Sequence, residues 1–369
     1  MKISYLVHDL NDAAVRRRVA LLEGAGMTVR LGGFHRDAKI PECLGKVPVS
    51  PLGRTNDGAL LQRIFTILRH AVWPGRLRKL TKGADVILAR NLETLVLAAR
   101  VRRKEQRLVY ECLDIHRLLL GSGAPSRLLH RLEDWALRDV DLVVVSAPAF
   151  RDKYFRQHIG YEGDILLVEN LVPQPPEGMP AIIDPQPPLP WVIGWFGMLR
   201  CRKGFEMLKA IAANSGGRIE VLIAGRPSPD VFPDFPGEVN EAPGVRFEGA
   251  YTAEDLPGLF GRIHFIWAVD YFEEGLNSVW LLPNRLYESI AHGAVPIALE
   301  SVATGEWLKA QDAGLLMNDP EAELPERVLQ MTPEQYRELR AGVARVPRPA
   351  VTMNDAEAQI IAHAIAGDV

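Results

Sequence analysis

Eight of the chain's 27 prolines fall between residues 171 and 190, at positions 173, 175, 176, 180, 185, 187, 188 and 190. Proline has a fixed φ and no amide hydrogen, so neither a helix nor a central strand holds that density. An extended linker does. The charge changes sign at the same place. Residues 1–170 carry 28 Lys and Arg against 19 Asp and Glu, whereas residues 171–369 carry 15 against 27. A length of 369 residues is enough for two cores. The expected organisation is a first domain over 1–172, a linker over 173–190, a second domain over 191–350 and a terminal segment over 351–369.

Both halves alternate short apolar runs with amphipathic stretches. In the first, strands are predicted at 3–7, 28–33, 86–89, 108–110 and 142–146, with helices at 13–25, 92–104 and 126–138. In the second, strands are predicted at 191–196, 219–224, 245–247 and 263–268, with a helix at 203–213. Strands that alternate with helices pair in parallel, so each half reads as an α/β, doubly wound sheet. Thr332-Pro333-Glu334-Gln335 is a helix start with a capping box, and Asn354 opens a last helix reaching about residue 366.

Composition excludes several classes. The content is 47% apolar and 24% charged, that of an ordinary globular protein. Cys43, Cys112 and Cys201 lie far apart, with no metal-like spacing, as suits a reducing cytoplasm. No apolar run reaches the roughly 18 residues of a membrane span. The opening apolar run is broken by His8 and Asp9 and reads as a strand rather than a signal peptide. The basic first half is expected to meet an anionic surface. Residues 63–82 mix Arg63, Arg69, Arg76, Arg78, Lys79 and Lys82 with Phe65, Val72 and Trp73, the pattern of a segment lying on anionic lipid. Arg16 to Arg18 and Arg102 to Lys104 add to that charge. Aromatics are not interleaved with the cations as on a stacking platform, so nucleic acid is not expected.

The chemistry concentrates in Pro283-Asn284-Arg285-Leu286-Tyr287-Glu288-Ser289-Ile290-Ala291-His292-Gly293-Ala294-Val295-Pro296-Ile297-Ala298. Asn284 is the expected N-cap, Gly293 suits a left-handed helix end, and 295–299 is an apolar run of strand length. Arg285 and Glu288 share a helix face. A cation at a helix N-terminus holds a diphosphate, and a carboxylate one turn on accepts ribose hydroxyls. This segment resembles the donor-site helix of two-domain (GT-B) glycosyltransferases, family 4-like and bacterial exopolysaccharide members included. The resemblance implies two Rossmann-like domains facing a central cleft, with a C-terminal helix crossing back to the first domain. It also implies that Glu288 binds the ribose of a nucleotide-diphosphate sugar.

Gly194-Trp195-Phe196-Gly197-Met198-Leu199-Arg200-Cys201-Arg202-Lys203-Gly204 is similar to the family's glycine-lysine diphosphate segment. Lys203 matches its lysine. Met198 replaces its usual arginine, so Arg200 or Arg202 has to stand in. The family's sugar-contacting glutamate has no equivalent at the usual spacing, where Trp280 stands, and Glu274 is the nearest candidate. Gly225 and Tyr251 fall where the family contacts the nucleotide, as do Gly197 and Asn284. In the first domain Asp114 and His116 follow a strand and are the candidates to face the acceptor hydroxyl. Asp114 is the base if the reaction inverts, and both only position substrate if it retains. Either residue also suits a turn or cap. Asp9 and Asp12 lie in the family's acceptor-side loop, where Asp12 also suits the cap of the following helix. The resemblance implies no metal and no cofactor beyond a UDP or GDP sugar as substrate. The expected activity is sugar transfer to a lipid-linked, polyprenyl-diphosphate type of saccharide in exopolysaccharide or lipopolysaccharide assembly, in the cytoplasm at the inner membrane face. A sugar-nucleotide 2-epimerase and a non-catalytic scaffold of the same fold fit the same residues.

Overall fold

The computed structural model describes residues 1–36, 40–55, 69–70, 72–174 and 190–367. Most of the proline-rich stretch (175–189) and part of the basic segment (63–68 and 71) lie outside the described residues. The chain forms two compact units, Met1–Glu169 joined by the segment from Asn354 on, and Asn170–Met353.

The first unit is built on an eight-stranded sheet in the spatial order Cys43–Leu44, Val47–Arg54, Thr28–His35, Lys2–Val7, Val86–Arg90, Arg107–Cys112, Leu142–Val145 and Ile165–Leu167. Every pairing is parallel except the short antiparallel edge of Cys43–Leu44 on Val47–Arg54. Val86–Arg90 is buried along its whole length, as continuous apolar runs in a covered parallel sheet must be. Chain order runs outward in opposite directions from Lys2–Val7 and Val86–Arg90, so the switch point of the topology lies between them.

Helix Asp355–Ala366 completes this unit. Asn354 caps it with a reciprocal bond to Glu357, and Ala362, Ile365 and Ala366 are buried. It packs on helix Ala13–Gly24, and Arg107 Nη2 donates to the Ala364 carbonyl at 3.4 Å.

The second unit carries six parallel strands in the order Val245–Phe247, Ile219–Pro227, Trp191–Leu199, Phe265–Trp267, Val295–Leu299 and Leu315–Met317. Its switch point lies between Trp191–Leu199 and Phe265–Trp267. The unit begins three residues before the sequence boundary at 173, because Val172–Pro173 pairs in parallel with Thr352–Met353. That two-stranded ladder ties the unit's first residues to its last, and hydrogen bonding rather than proline density sets the edge.

Candidate functional site

Open α/β sheets take ligands outside the carboxyl ends of their strands, at the switch point. In the second unit that position is lined by the residues following Leu199 and Trp267. Gly197 and Gly225 face each other across the strand pair with φ of +115° and +143°. A Cβ on Gly225 would stand 1.8 Å from the Gly197 carbonyl, whereas one on Gly197 would meet nothing within 4 Å. Gly225 is therefore demanded by backbone packing, and Gly197 borders open space.

Arg285 stands in the first turn of helix Asn284–Ala291. It is half-buried, its Nη2 donates to the Val269 carbonyl at 3.1 Å, and its Nε has no partner. Burial makes its proton less tightly held than usual and the nearby Arg200 adds to this, against the pull of Asp270. Arg200 lies 4.4 Å over the ring of Phe272. Among the described residues no carboxylate forms an ion pair with either arginine. Two cations beside a helix start, with Asp270 near but no carboxylate in an ion pair with either among the described residues, are the arrangement that favours an anion.

The helix start differs from the sequence reading. Pro283, not Asn284, is the N-cap, and no side chain caps the helix. Pro283 has an extended backbone (ψ 149°), which makes Asn284 the first helical residue. The uncapped N–H groups then remain available to a ligand. Gly293 has φ +81° and ends the helix as expected. Glu288, one turn from Arg285, is buried at 4% exposure.

The remaining cations separate. Arg202 is clamped by Glu238 in a bidentate pair, lies 4.2 Å over Phe232 and donates to the Val231 carbonyl at 2.6 Å. Its donors are engaged within this unit, so of the four cations expected at the diphosphate it is the one that must give up most contacts to reach it. Lys203 and Glu274 pair with each other at 2.9 Å, with Lys203 4.1 Å over Tyr271. Both are exposed, and such pairs contribute under about 1 kcal/mol, so a phosphate can displace the carboxylate. Tyr251 is half-buried and packs edge-on against Phe196 at 6.3 Å, as part of a core cluster. Cys201 caps helix Arg202–Asn214 by accepting from the Gly204 amide at 3.3 Å, and burial raises its thiol pKa.

In the first unit the predicted residues also divide. His116 caps the turn Arg117–Leu119 through Nδ1, which accepts from the Leu118 amide at 3.2 Å, so the cap reading holds for that nitrogen. Asp114 is exposed just after strand Arg107–Cys112. Asp12 caps helix Ala13–Gly24 by accepting from the Ala14 amide at 2.8 Å. It also faces Arg90 Nη2 at 3.4 Å and His8 Nε2 at 3.9 Å. Asp9 lies 3.7 Å from Arg36.

Beneath these residues runs a buried polar network that the periodicity does not disclose. Glu111 accepts from the Tyr5 hydroxyl at 2.5 Å and from Arg18 Nε at 2.7 Å, and Arg90 Nη1 donates to the Tyr5 oxygen at 3.0 Å. Burial opposes the Glu111 charge, but Arg18 and Arg90 outweigh it and keep the carboxyl below its usual range. The signal in the sequence was an Arg closing the apolar strand Val86–Arg90 and a Glu next to the end of strand Arg107–Cys112.

Comparison with known proteins agrees with this architecture. The glycosyl transferase 4-like domain family matches residues 8–170. Sucrose-phosphate synthase from Thermosynechococcus elongatus superposes with a TM-score of 0.74 at 16% identity, covering 100% of this chain and 98% of that one. Anabaena HepE, solved in complex with UDP, superposes with a TM-score of 0.69 at 15% identity, covering 100% of both chains. The succinoglycan biosynthesis protein ExoL of Rhizobium meliloti (strain 1021) is 40% identical over 356 residues, or 94% of this chain and 88% of ExoL. The two Rossmann-like units, the glycosyl transferase 4-like domain over residues 8–170 and this extended identity together make the chain a glycosyltransferase of the GT-B fold that belongs to the family of ExoL.

Proposed function

We propose that this glycosyltransferase moves a sugar from a nucleoside diphosphate donor to a lipid-linked saccharide during bacterial exopolysaccharide assembly, at the inner face of the cytoplasmic membrane. One observation carries the donor half of this reading. Arg285 is held half-buried beside Arg200, with an unpartnered Nε and no carboxylate paired to either among the described residues. A diphosphate supplies the missing charge and acceptor atoms. Glu288, one turn along, is then the residue for the ribose. UDP in the HepE complexes and UDP-glucose in one of them support a uridine donor. ExoL's place in succinoglycan biosynthesis supports the exopolysaccharide setting.

Arg200, Arg285 and Lys203 neutralise the leaving diphosphate, so transfer is proposed to proceed without a divalent cation. The membrane half of the reading rests on the first unit. Trp73 and Leu128 are 72% and 60% exposed, and Leu132 and Trp135 follow Leu128 on the same helix with Arg127, Arg131 and Arg138 beside them. No helix among the described residues is long and apolar enough to cross a membrane. Apolar side chains flanked by arginines instead suit peripheral contact with anionic lipid.

Titration calorimetry with UDP and GDP in the presence of EDTA tests the donor site. Saturable binding of one nucleotide is the expected result. Binding of neither, or binding only after Mg²⁺ is restored, would remove the proposed site.

A further inference from the structure

In the second unit three consecutive residues, Asp270, Tyr271 and Phe272, each address a different cation. Asp270 pulls on Arg285, Lys203 Nζ stands 4.1 Å over the Tyr271 ring, and Arg200 Cζ stands 4.4 Å over the Phe272 ring. The loop that carries them is held by its backbone. The Phe272 amide donates to Asp270 Oδ1 at 2.8 Å, and the Glu273 amide donates to Ser278 Oγ at 3.0 Å. The Tyr271 amide donates to the Cys201 sulfur, which also takes the Gly204 amide. Cys201 is the cap of helix Arg202–Asn214, so one atom fixes the loop and the helix start against each other.

Phe272 is 43% exposed and, among the described residues, packs on no other aromatic ring. Its face is given to Arg200 instead. The ring quadrupole attracts a guanidinium without using any of its N–H groups. Among the described residues Arg200 makes no hydrogen bond and no ion pair, so its donors stay open while its position is held. Lys203 has a ring beneath it as well, but its ammonium also meets both carboxylate oxygens of Glu274 at 2.9 Å. A long cation that moves freely in solvent loses rotamer entropy when it grips an anion. A ring face that holds the cation beforehand removes part of that loss.

We propose that Phe272 and Tyr271 are positioning residues, whose ring faces hold Arg200 and Lys203 ready for the donor's diphosphate, and that Glu274 is the counter-ion this diphosphate displaces. The inference rests on the donor reading above for the identity of the anion. The aromatic pair acts through the two cations and touches no substrate.

Calorimetry on the full chain in EDTA, with UDP and with inorganic pyrophosphate as separate probes, tests it. Phe272→Leu keeps an apolar side chain and removes the ring face, and is expected to weaken both anions about five- to tenfold. Phe272→Tyr keeps the face and is expected to stay within about twofold of wild type. Tyr271→Leu set against Tyr271→Phe reads the Lys203 arm in the same way. The Tm of Phe272→Leu should not move, because the residue is exposed. In an Arg200→Ala background Phe272→Leu should have no further effect on binding. Glu274→Gln is expected to strengthen pyrophosphate binding about threefold, since the resident carboxylate no longer competes. Wild-type affinity in Phe272→Leu, or an equal loss with and without Arg200, overturns the positioning role and leaves the donor reading in place. Weaker pyrophosphate binding in Glu274→Gln overturns its part as the displaced counter-ion. Pyrophosphate binding that depends on Phe272, in a protein that does not bind UDP, would remove the nucleotide reading and leave the platform standing. Binding of neither anion to the wild type overturns both.

Discussion

Arg202 and Arg285 look alike in the sequence, each a cation in the first turn of a helix. Their surroundings separate them. Arg202 has a bidentate carboxylate and a backbone carbonyl, whereas Arg285 has one carbonyl and an idle Nε. Hydrogen bonds to charged groups are each worth about 1.5–3 kcal/mol. Arg285→Ala is therefore expected to weaken UDP binding roughly 10- to 100-fold by calorimetry. Arg202→Ala is expected to lower the Tm and leave UDP affinity within about twofold. A reversed ranking would return Arg202 to the donor site.

A second residue-scale prediction concerns Glu133, which is buried on helix Ala124–Leu137 and accepts from the Tyr154 hydroxyl at 2.5 Å. Burial raises its pKa to about 7, against the pull of that hydrogen bond. The folded state thus holds a proton that the unfolded state releases above its ordinary value of 4.5. Stability from this group is lost as pH rises from about 4.5 to 7 and is constant above. Glu133→Gln should match wild type near pH 4.5 and exceed it at pH 8 by on the order of 2 kcal/mol in denaturant unfolding. An equal offset at both pH values would assign the effect to packing.

At the scale of elements, helices and strands with local signals were legible. The capping box at Thr332, the helix opened by Asn354 and the strand Val295–Leu299 stand where the sequence placed them. These are effects of near neighbours, satisfied within one turn or one run of residues. Helix Asn284–Ala291 starts one residue earlier than the capping preference of Asn predicts, because Pro283, with its extended backbone, takes the cap position.

Helix Ala124–Leu137 was predicted as an element, but its exposed face was not. Leu128, Leu132 and Trp135 are exposed although the period marks them as core, because Ser126, Glu133, Ala136 and Leu137 are the residues it buries. Replacing Leu128, Leu132 and Trp135 together by Ser is expected to reduce co-sedimentation with phosphatidylglycerol vesicles at least tenfold, with the Tm preserved. The wild-type interaction should weaken in high salt. Undiminished vesicle binding would move the contact to another surface.

For the whole molecule, helix Asp355–Ala366 is the last in the chain yet belongs to the first unit, where it buries Ile365 and two alanines. Ending the chain after Met353 should cost that unit about 3 kcal/mol and leave the other unit intact. Two thermal transitions are then expected, with UDP raising only that of Asn170–Met353. A single transition shifted uniformly by UDP would contradict independent units.

The sequence by itself determined the class of fold, the division into two sheets and the helix Asn284–Ala291 with the strand after it, since each is written in periodicity, proline density or a contiguous motif. Only the tertiary structure decided which like-charged residues stay available. Arg202 meets Glu238 across 36 residues, Lys203 meets Glu274 across 71, and Tyr5 meets Glu111 across 106. A charge is neutralised by whatever the fold brings within a few ångströms, and no local pattern encodes a partner that distant.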